Sequence, residues 1–403
     1  MKLPIRTLSD CETATPGLVA GLKAPASAKA IMFACLPLRR GRLMMQLPDG
    51  RRMEFGGQED GPSALLDVRD YAFAKKVMRG GDIGFAEAYM AGDWDTPDLS
   101  AVLEFFSLNA DAVMRLVQGN WLTRIANWLN HIGHDNNREG ARRNIHAHYD
   151  LGNRFYQAWL DPSMTYSSAC FDAPDQDLSA GQLNKYRALA DKLELTTGDH
   201  VLEIGCGWGG FAEVAARDYG ARVTGLTIST EQFEYATARM LQAGLSDQVD
   251  IKLMDYRDID GSFDKIASIE MFEAVGERYW PAYFAKLSSV LKPGGRAALQ
   301  IITIKEELFA SYRKRADFIQ RYIFPGGMLP SIARLKEEAA IAGLAWGTAQ
   351  VFGQHYAATL SAWGQRFTAQ WEEIRSLGFD ERFRRLWKFY LSYCEAGFSH
   401  RAH

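Results

Sequence analysis

The chain contains 403 residues, of which 47% are hydrophobic and 24% charged, and its formal net charge is −3. This length is enough for two domains of ordinary globular composition, and the slightly acidic balance argues against a nucleic-acid-binding protein. The five cysteines include no Cys-x-x-Cys pair, which disfavours a structural zinc site and is typical of reduced thiols in a cytosol.

The sequence shows neither of the usual signals for membrane insertion or export. Its longest apolar stretches, such as Ala30 to Leu38, are much shorter than a membrane-spanning helix. The first residues contain no apolar segment of the signal-peptide type. We therefore expect a cytoplasmic protein that reaches the inner face of a membrane only peripherally.

The first 135 residues predict a small mixed α+β domain. Arg42 to Leu47 and Arg51 to Phe55 flank a Pro-Asp-Gly turn at residues 48–50, which predicts a β-hairpin. Asp98 is predicted to begin a helix that continues to Asn109. One or two further helices are expected between this helix and residue 134.

Residues 120–132 predict an amphipathic helix with two interpretations. Its apolar side chains recur at helical spacing, with Arg and Asn between them, at Trp121, Leu122, Ile125, Trp128, Leu129 and Ile132. The helix is interfacial if Arg138, Arg142 and Arg143 meet anionic headgroups, and buried if it packs on another domain or subunit. A second basic run, Arg382 to Lys388, is predicted to be a solvated helix face.

From His200 onward, strands and helices alternate along the sequence. The pattern predicts strands at 200–204, 222–226, 249–254, 263–269 and 296–302, and helices at 209–218, 230–243 and 279–290. Alternation of this kind is typical of a parallel, doubly wound sheet. Residues 136–403 are therefore predicted to form an α/β domain with helical insertions, and residues 350–356 to form a last strand.

A glycine-rich loop follows the first strand of this α/β domain. Gly205, Gly207 and Gly210 have the spacing Gly-x-Gly-x-x-Gly, which lets the backbone approach a nucleotide-type cofactor at a helix N-terminus. A dinucleotide site needs an acidic residue about 20 positions later, but the second strand ends in Thr227 to Thr230. The acidic residue instead precedes the loop, at Glu203. That arrangement resembles class I S-adenosylmethionine (SAM) methyltransferases, which have a Rossmann-like sheet.

Seven short motifs occur in order between residues 148 and 325. They are His148 to Asn153, Met164 to Ser167, Leu202 to Gly210, Gly225 to Ser229, Asp255 to Asp258, Met271 to Gly276 and Tyr322 to Pro325. Together they resemble the cyclopropane-fatty-acyl-phospholipid synthase and mycolic acid cyclopropane synthase family. The resemblance covers residues 140–400 and implies methyl transfer from SAM to a carbon–carbon double bond of a phospholipid acyl chain.

The resemblance also implies a base. Methyl transfer to a double bond leaves a carbocation, and a proton must then leave towards a base held inside an apolar site. In the family this base is a bound bicarbonate, whose holders correspond here to Glu273, Tyr356, Ser168, Gln300 and the backbone of Ile302. Ser168 and Gln300 replace the family's cysteine and histidine, and glutamine cannot carry a proton as histidine can. Two products therefore stay open: a cyclopropane, or a methylated chain that keeps a double bond and leads to methyl-branched or furan fatty acids.

The SAM-binding residues follow from the same resemblance. Tyr166 and Ser167 are expected near the sulfonium and carboxylate end, and the glycine loop beneath it. The full implied set is Tyr166, Ser167, Glu203, Gly205, Gly207, Thr227, Gln232, Tyr256, Arg257 and Ile269. The resemblance implies no metal.

Two other functions compete with this one. The chain could be a SAM methyltransferase of a small soluble molecule, or a non-catalytic lipid- or SAM-binding module. The expected partners are membrane phospholipid acyl chains, a second copy in a homodimer, and a desaturase or reductase, with no nucleic acid. Residues 1–135 are expected to contact lipid or to mediate dimerisation.

Overall fold

The computed structural model describes residues 11–110, 112, 151–314 and 316–399. The chain divides into two units, of which the first contains Met1–Asn127 together with Gly378–Ala402, and the second contains Trp128–Leu377. The predicted helix at 120–132, the cluster of Arg138, Arg142 and Arg143, and the boundary at residue 135 lie outside the described residues.

A five-stranded mixed sheet lies at the centre of the first unit. Its strands are β1 (Cys11–Thr13), β2 (Arg40–Gln46), β3 (Arg52–Gly56), β4 (Glu59–Val68) and β5 (Trp94–Asp95), in the order β1-β3-β2-β4-β5. Strands β2 and β3 pair antiparallel, which confirms the predicted hairpin. Leu43 and Met45 on β2 are buried while their neighbours are more exposed, because successive strand side chains point to opposite faces.

Four helices of the first unit precede residue 110. They are α1 (Pro16–Gly21), α2 (Ala26–Cys35), α3 (Ala72–Ala91) and α4 (Leu99–Leu108). The Asp98 carboxylate accepts the Ala101 N–H and so caps α4, which confirms the helix predicted from Asp98 to Asn109.

The C-terminal helix α15 (Glu381–Ser399) belongs to this first unit. The Arg385 guanidinium lies 4.1 Å from the centroid of the Tyr89 ring and donates to the carbonyls of Tyr89 and Trp94. Trp387, two residues later, is buried. The prediction that residues 382–388 form a solvated face is therefore wrong, because Arg385 binds backbone carbonyls and Trp387 is buried.

A five-stranded, wholly parallel sheet forms the centre of the second unit. Its strands are β6 (His200–Ile204), β7 (Arg222–Thr227), β8 (Val249–Leu253), β9 (Phe263–Ile269) and β10 (Leu291–Gln300), in the order β10-β9-β6-β7-β8. Val201 and Leu202 belong to two different apolar clusters, because they point to opposite faces of the sheet. The sheet confirms the predicted α/β fold class.

Helices cover the sheet and form the insertions of the second unit. They are α5 (Asn153–Trp159), α6 (Leu178–Leu193), α7 (Gly210–Tyr219), α8 (Thr230–Gln242), α9 (Trp280–Val290), α10 (Glu306–Tyr312), α11 (Phe318–Tyr322), α12 (Ile332–Ile341), α13 (Gly353–Ala369) and α14 (Trp371–Ser376). Among the described residues, none of the helices combines the length and the apolar character that crossing a bilayer requires.

The strand predicted at residues 350–356 is wrong. Residues 345–352 contain no strand, and Tyr356 lies in the first turns of α13. The buried side chains Leu360, Trp363 and Phe367 recur at helical spacing after it. This helical pattern continues over the whole of α13, which therefore includes Tyr356.

Candidate active site

The predicted site residues follow the carboxyl ends of the parallel strands. Gly205 follows β6, Tyr256 follows β8, Glu273 follows β9 and Ile302 follows β10, while Thr227 ends β7. Strands β6 and β9 are neighbours in the sheet. The chain continues from β6 through β7 to β8 on one side, and from β9 to β10 on the other. Ligands of open α/β sheets bind at this type of switch point, outside the carboxyl ends of the strands.

The glycine loop lies against the segment that follows β9. Gly205 has φ of +81°, and a Cβ added there would lie 2.7 Å from Cγ of Met271. Gly207 has φ of +53°, and a Cβ added there would meet no atom within 4 Å. The loop backbone is thus tightly packed at Gly205 and open at Gly207, where a ligand can approach it.

Glu203 lies in β6, immediately below this loop, and is only 2% exposed. Its Oε2 atom is buried and has no hydrogen-bond partner among the described residues. Burial raises the pKa of Glu203 to about 8, although Arg239, Lys185 and the backbone N–H of Ala212 oppose the shift. A buried carboxylate with an unused oxygen fits a ligand that donates a hydrogen bond or carries positive charge.

Other predicted cofactor residues are held by their own neighbours. The Thr227 hydroxyl donates to Oε1 of Gln232 over 2.8 Å. The Arg257 guanidinium binds both carboxylate oxygens of Asp255, through Nε at 2.9 Å and Nη2 at 2.6 Å. Tyr256, next to this pair, is partly exposed, as is Ile269 at the end of β9.

The segment from Tyr166 to Ser168 is fixed by helix α6. Gln182 donates to the Ser167 carbonyl over 2.9 Å, and Lys185 Nζ donates to the Ser167 hydroxyl over 2.6 Å. The Tyr166 ring packs among aromatic side chains, with centroid distances of 5.5, 5.6 and 5.3 Å to Tyr156, Trp159 and Trp363. Tyr166 is thus part of an aromatic cluster with Tyr156, Trp159 and Trp363.

Three of the groups predicted to hold an anion converge on Glu270. The Ser168 N–H donates to its Oε1 over 2.8 Å, and the Gln300 side-chain amide donates to the same oxygen over 2.7 Å. The Tyr356 hydroxyl donates to its Oε2 over 2.6 Å. Desolvation raises the pKa of Glu270, whereas Tyr356, Ser168, Lys185 and Gln300 favour its ionised form. The anion bound by these donors is therefore a carboxylate of the protein itself.

The backbone at Glu270 adopts an unusual conformation. Its φ is +48°, in the left-handed region that favours glycine, although Glu270 carries a full side chain. Its N–H donates to the Gln300 carbonyl over 2.8 Å, which extends the pairing of β9 with β10. A non-glycine residue in this region costs about 1–3 kcal/mol and persists where its surroundings hold it, most often at functional sites.

Glu273 has a separate environment from the Ser168, Gln300 and Tyr356 donors. Its Oε1 accepts the Ile302 N–H, and its buried Oε2 has no partner among the described residues. Burial raises the pKa of Glu273 to about 8, and the neighbouring charge of Glu270 adds to the shift. The pKa of both carboxyl groups is raised, but the three donors that favour the ionised form belong to Glu270.

The sequence-based site therefore needs correction at Glu273 and Ser168. Of the five predicted anion holders, Ser168, Gln300 and Tyr356 bind Glu270, while Ile302 binds Glu273. Ser168 contributes its backbone N–H, because its hydroxyl donates to the Ala169 carbonyl. A bicarbonate does not fit among donors that the Glu270 carboxylate already engages.

The sequence reasoning missed Glu270, Gln182 and Lys185. A signal was present for each. Glu270 follows the carboxyl end of a buried strand, and Gln182 and Lys185 share the buried stripe of α6 with Leu178 and Leu189. Polar residues at inward helical positions are rarely buried without a partner or a function.

The comparisons with known proteins agree with this architecture. The family described as mycolic acid cyclopropane synthetase matches residues 136–403. The chain is 40% identical over 351 residues to the tuberculostearic acid methyltransferase of Mycobacterium tuberculosis, which covers 85% of this chain and 82% of the relative. It is 37% identical over 349 residues to the cyclopropane-fatty-acyl-phospholipid synthase of Escherichia coli, covering 83% of this chain and 84% of the relative.

Solved structures support the same fold and cofactor. A crystal structure of a mycolic acid cyclopropane synthase complexed with SAH and CTAB has a TM-score of 0.60 and 32% identity, over 64% of this chain and 93% of the other. The cofactor is SAM, and the open backbone at Gly207 and the unused oxygen of Glu203 fit its amino-acid end. The protein is therefore an enzyme, a SAM-dependent methyltransferase that belongs to the mycolic acid cyclopropane synthetase family.

Proposed function

We propose that this enzyme methylates a carbon–carbon double bond of an unsaturated acyl chain in membrane phospholipid, and that its product keeps a double bond instead of closing a ring. The observation that carries the proposal is the Glu270 carboxylate, which takes the place of a recruited anion among Ser168, Gln300 and Tyr356. The similarity to a tuberculostearic acid methyltransferase, at 40% identity over 85% of this chain, favours methylation over cyclopropanation.

The glycine loop and its neighbours would hold SAM at the switch point of the sheet. Gly205 and Gly207 would lie beneath the amino-acid end, with Glu203, Tyr166 and Ser167 around it. The remaining contacts would come from Thr227, Gln232, Tyr256, Arg257 and Ile269. When bound, SAM supplies an electrophilic methyl group on a sulfonium.

Aromatic side chains would stabilise the charge that forms on the substrate. The π electrons of the double bond form the new carbon–carbon bond, and the electrons of the broken sulfur–carbon bond stay on sulfur. The acyl chain is left with a carbocation, beside which Tyr166, packed on the buried ring of Trp363, would offer an aromatic face. A hydride shift along the chain moves this cation without changing the atom count.

Glu270 would then accept the proton that completes the reaction. The electron pair of the broken carbon–hydrogen bond forms the new double bond, so the product is the substrate plus one CH₂ group. An ionised carboxylate is needed for this step, and the three hydrogen bonds to Glu270 stabilise that ionised form. No bicarbonate is required.

The remaining expectations concern partners. A product that keeps a double bond needs a reductase if a saturated methyl branch is to form, and the substrate double bond needs a desaturase. We also propose peripheral contact with a membrane surface, and dimerisation through the N-terminal residues as an alternative use of that region. The residues that suggested both lie outside the described ranges.

The test is product analysis with SAM that carries a trideuterated methyl group and vesicles of monounsaturated phospholipid. We expect acyl chains that have gained one methylene unit and take up one equivalent of hydrogen under mild conditions. Retention of three deuterium atoms places the lost proton on the chain, and retention of two places it on the transferred methyl group.

Each contrary outcome has a separate meaning. A product of the same mass that resists mild hydrogenation would mean ring closure and would overturn the proposal that the product keeps a double bond. Methylation of a soluble molecule with no turnover on any vesicle would overturn the choice of lipid substrate. Tight SAM binding with no turnover on either kind of substrate would favour a non-catalytic binding module.

A further inference from the structure

A buried lysine lies beside the candidate site and is used by none of the steps above. Lys185 is only 3% exposed. Among the described residues, it is the only lysine or arginine that is buried. Charged lysines are almost never fully buried unless they are paired. Lys185 projects from α6 towards the Tyr166 to Ser168 segment, where its Nζ donates to the Ser167 hydroxyl.

The charged groups around Lys185 come from several elements. Glu270 follows β9, Glu203 lies in β6, Asp161 follows α5, and Cys170 lies in the loop before α6, and each favours the protonated lysine. The ring of Tyr186, the next residue of α6, has its centroid 4.7 Å from Nζ. Lys185 is thus a cation placed among buried carboxylates that would otherwise disfavour one another's ionisation.

The influence of Lys185 on Glu270 acts through its charge as well as through the backbone. The backbone path runs from Lys185 Nζ to the Ser167 hydroxyl and then to the Ser168 N–H, which donates to Glu270. The charges and donors that face Glu270 are Lys185 from α6, Tyr356 from α13, Gln300 from β10, Ser168, and the neighbouring carboxyl of Glu273. Lys185 is the only positively charged side chain among these groups.

We propose that Lys185 is a positioning residue of the methyltransferase reaction, which keeps Glu270 ionised and aligned through its ammonium group. This inference rests on the proposed role of Glu270 as proton acceptor. Burial lowers the pKa of Lys185 to about 7 although the surrounding carboxylates oppose the shift, so the ammonium is present at acidic pH. Removal of the ammonium then leaves Glu270 with its burial penalty and without its cation.

The test is the pH dependence of kcat at saturating SAM. Lys185→Met removes the charge, and Lys185→Arg keeps it. Because Lys185 favours the ionised carboxylate, Lys185→Met should move the acidic limb of kcat to higher pH by about one unit, which is a roughly tenfold loss of rate below that limb. Lys185→Arg should leave the limb near its original position.

Controls separate this effect from a loss of structure. Lys192→Met changes an exposed lysine of the same helix and should alter neither the limb nor the melting temperature. If Lys185→Met does not fold, Lys185→Gln replaces it, since it also lacks the charge. A lowered melting temperature with an unmoved acidic limb would overturn the inference and leave Lys185 a structural residue.

The same assay distinguishes this inference from the proposed function. Glu270→Gln should abolish turnover if Glu270 is the proton acceptor. Wild-type turnover by Glu270→Gln would reject the role of Glu270, and with it the premise for Lys185. An inactive Glu270→Gln together with an unmoved limb in Lys185→Met would reject the role of Lys185 alone.

Discussion

The Tyr356 hydroxyl donates a 2.6 Å hydrogen bond to Oε2 of Glu270, although 86 residues separate the two in the chain. Tyr356 lies near the start of α13, and Glu270 lies just past the carboxyl end of β9. The bond joins a helix of the C-terminal insertions to the switch point of the sheet. Tyr356 was predicted to hold an external anion, and in the structure it binds a carboxylate of the protein instead.

Replacement of Glu270 by glutamine should abolish most of the activity. Glutamine has nearly the same shape but accepts no proton, and general base catalysis contributes about 10²–10⁴-fold to rates. We expect kcat to fall by at least about 100-fold while SAM affinity, measured by calorimetry, stays within about threefold. Residual activity above a tenth of the wild-type rate would contradict the assignment.

Replacement of Glu270 by glycine should create a site for an external anion. Glycine adopts φ of +48° without strain, and removal of the carboxylate frees the Ser168, Gln300 and Tyr356 donors. We expect an inactive variant whose turnover increases with added bicarbonate. Chloride at equal ionic strength is the control, and equal responses to both salts would count against an anion site.

Replacement of Tyr356 by phenylalanine should shift the pH profile of the reaction. The Tyr356 hydroxyl favours ionised Glu270, so its removal raises the pKa of Glu270 and moves the acidic limb of kcat to higher pH. We expect a shift of about one unit or less, measured from pH 5 to 9. Tyr71→Phe, in the N-terminal unit, should show no shift.

Replacement of Glu273 by glutamine should flatten the dependence of stability on pH. The folded pKa of Glu273 is raised to about 8, above its ordinary value of 4.5, so the folded state holds a proton that the unfolded state releases. The free energy of unfolding therefore falls as pH rises from about 4.5 to about 8. We expect the Tm of Glu273→Gln to fall less than that of the wild type across this window. Parallel Tm curves for the two proteins would mean that Glu273 is ionised when folded.

Replacement of Arg385 by alanine should destabilise the N-terminal unit. Arg385 binds the carbonyls of Tyr89 and Trp94, packs on the Tyr89 ring, and lies 3.2 Å from Asp95. Its loss removes charged hydrogen bonds from a part-buried site, and we expect a cost of about 2–3 kcal/mol in urea unfolding. Arg382→Ala, at an exposed position of the same helix, should cost less than about 0.5 kcal/mol.

Local patterns in the sequence were sufficient to predict the catalytic fold. Apolar strand runs and helical spacing predicted the five strands of the parallel sheet and the helices α7, α8 and α9, with bounds within two residues except at β10, which begins at Leu291 and not at 296. The same patterns predict where the cofactor binds, because the carboxyl ends of parallel strands meet at one edge whatever the details of the loops. The short segment at residues 350–356 was too brief for its period to be assigned correctly.

Tertiary contacts alone decided which carboxylate the anion-binding donors hold. Glu270 and Glu273 stand three positions apart in the same motif, and nothing local distinguishes the one that faces Ser168, Gln300 and Tyr356. The left-handed backbone at Glu270 and the approach of α13 turn that side chain towards the donors. The spacing of Lys185 on its helix indicates an inward position, but a lysine becomes a buried counter-charge only when distant carboxylates pack around it. These choices depend on residues far apart in the chain, and therefore only the folded structure makes them.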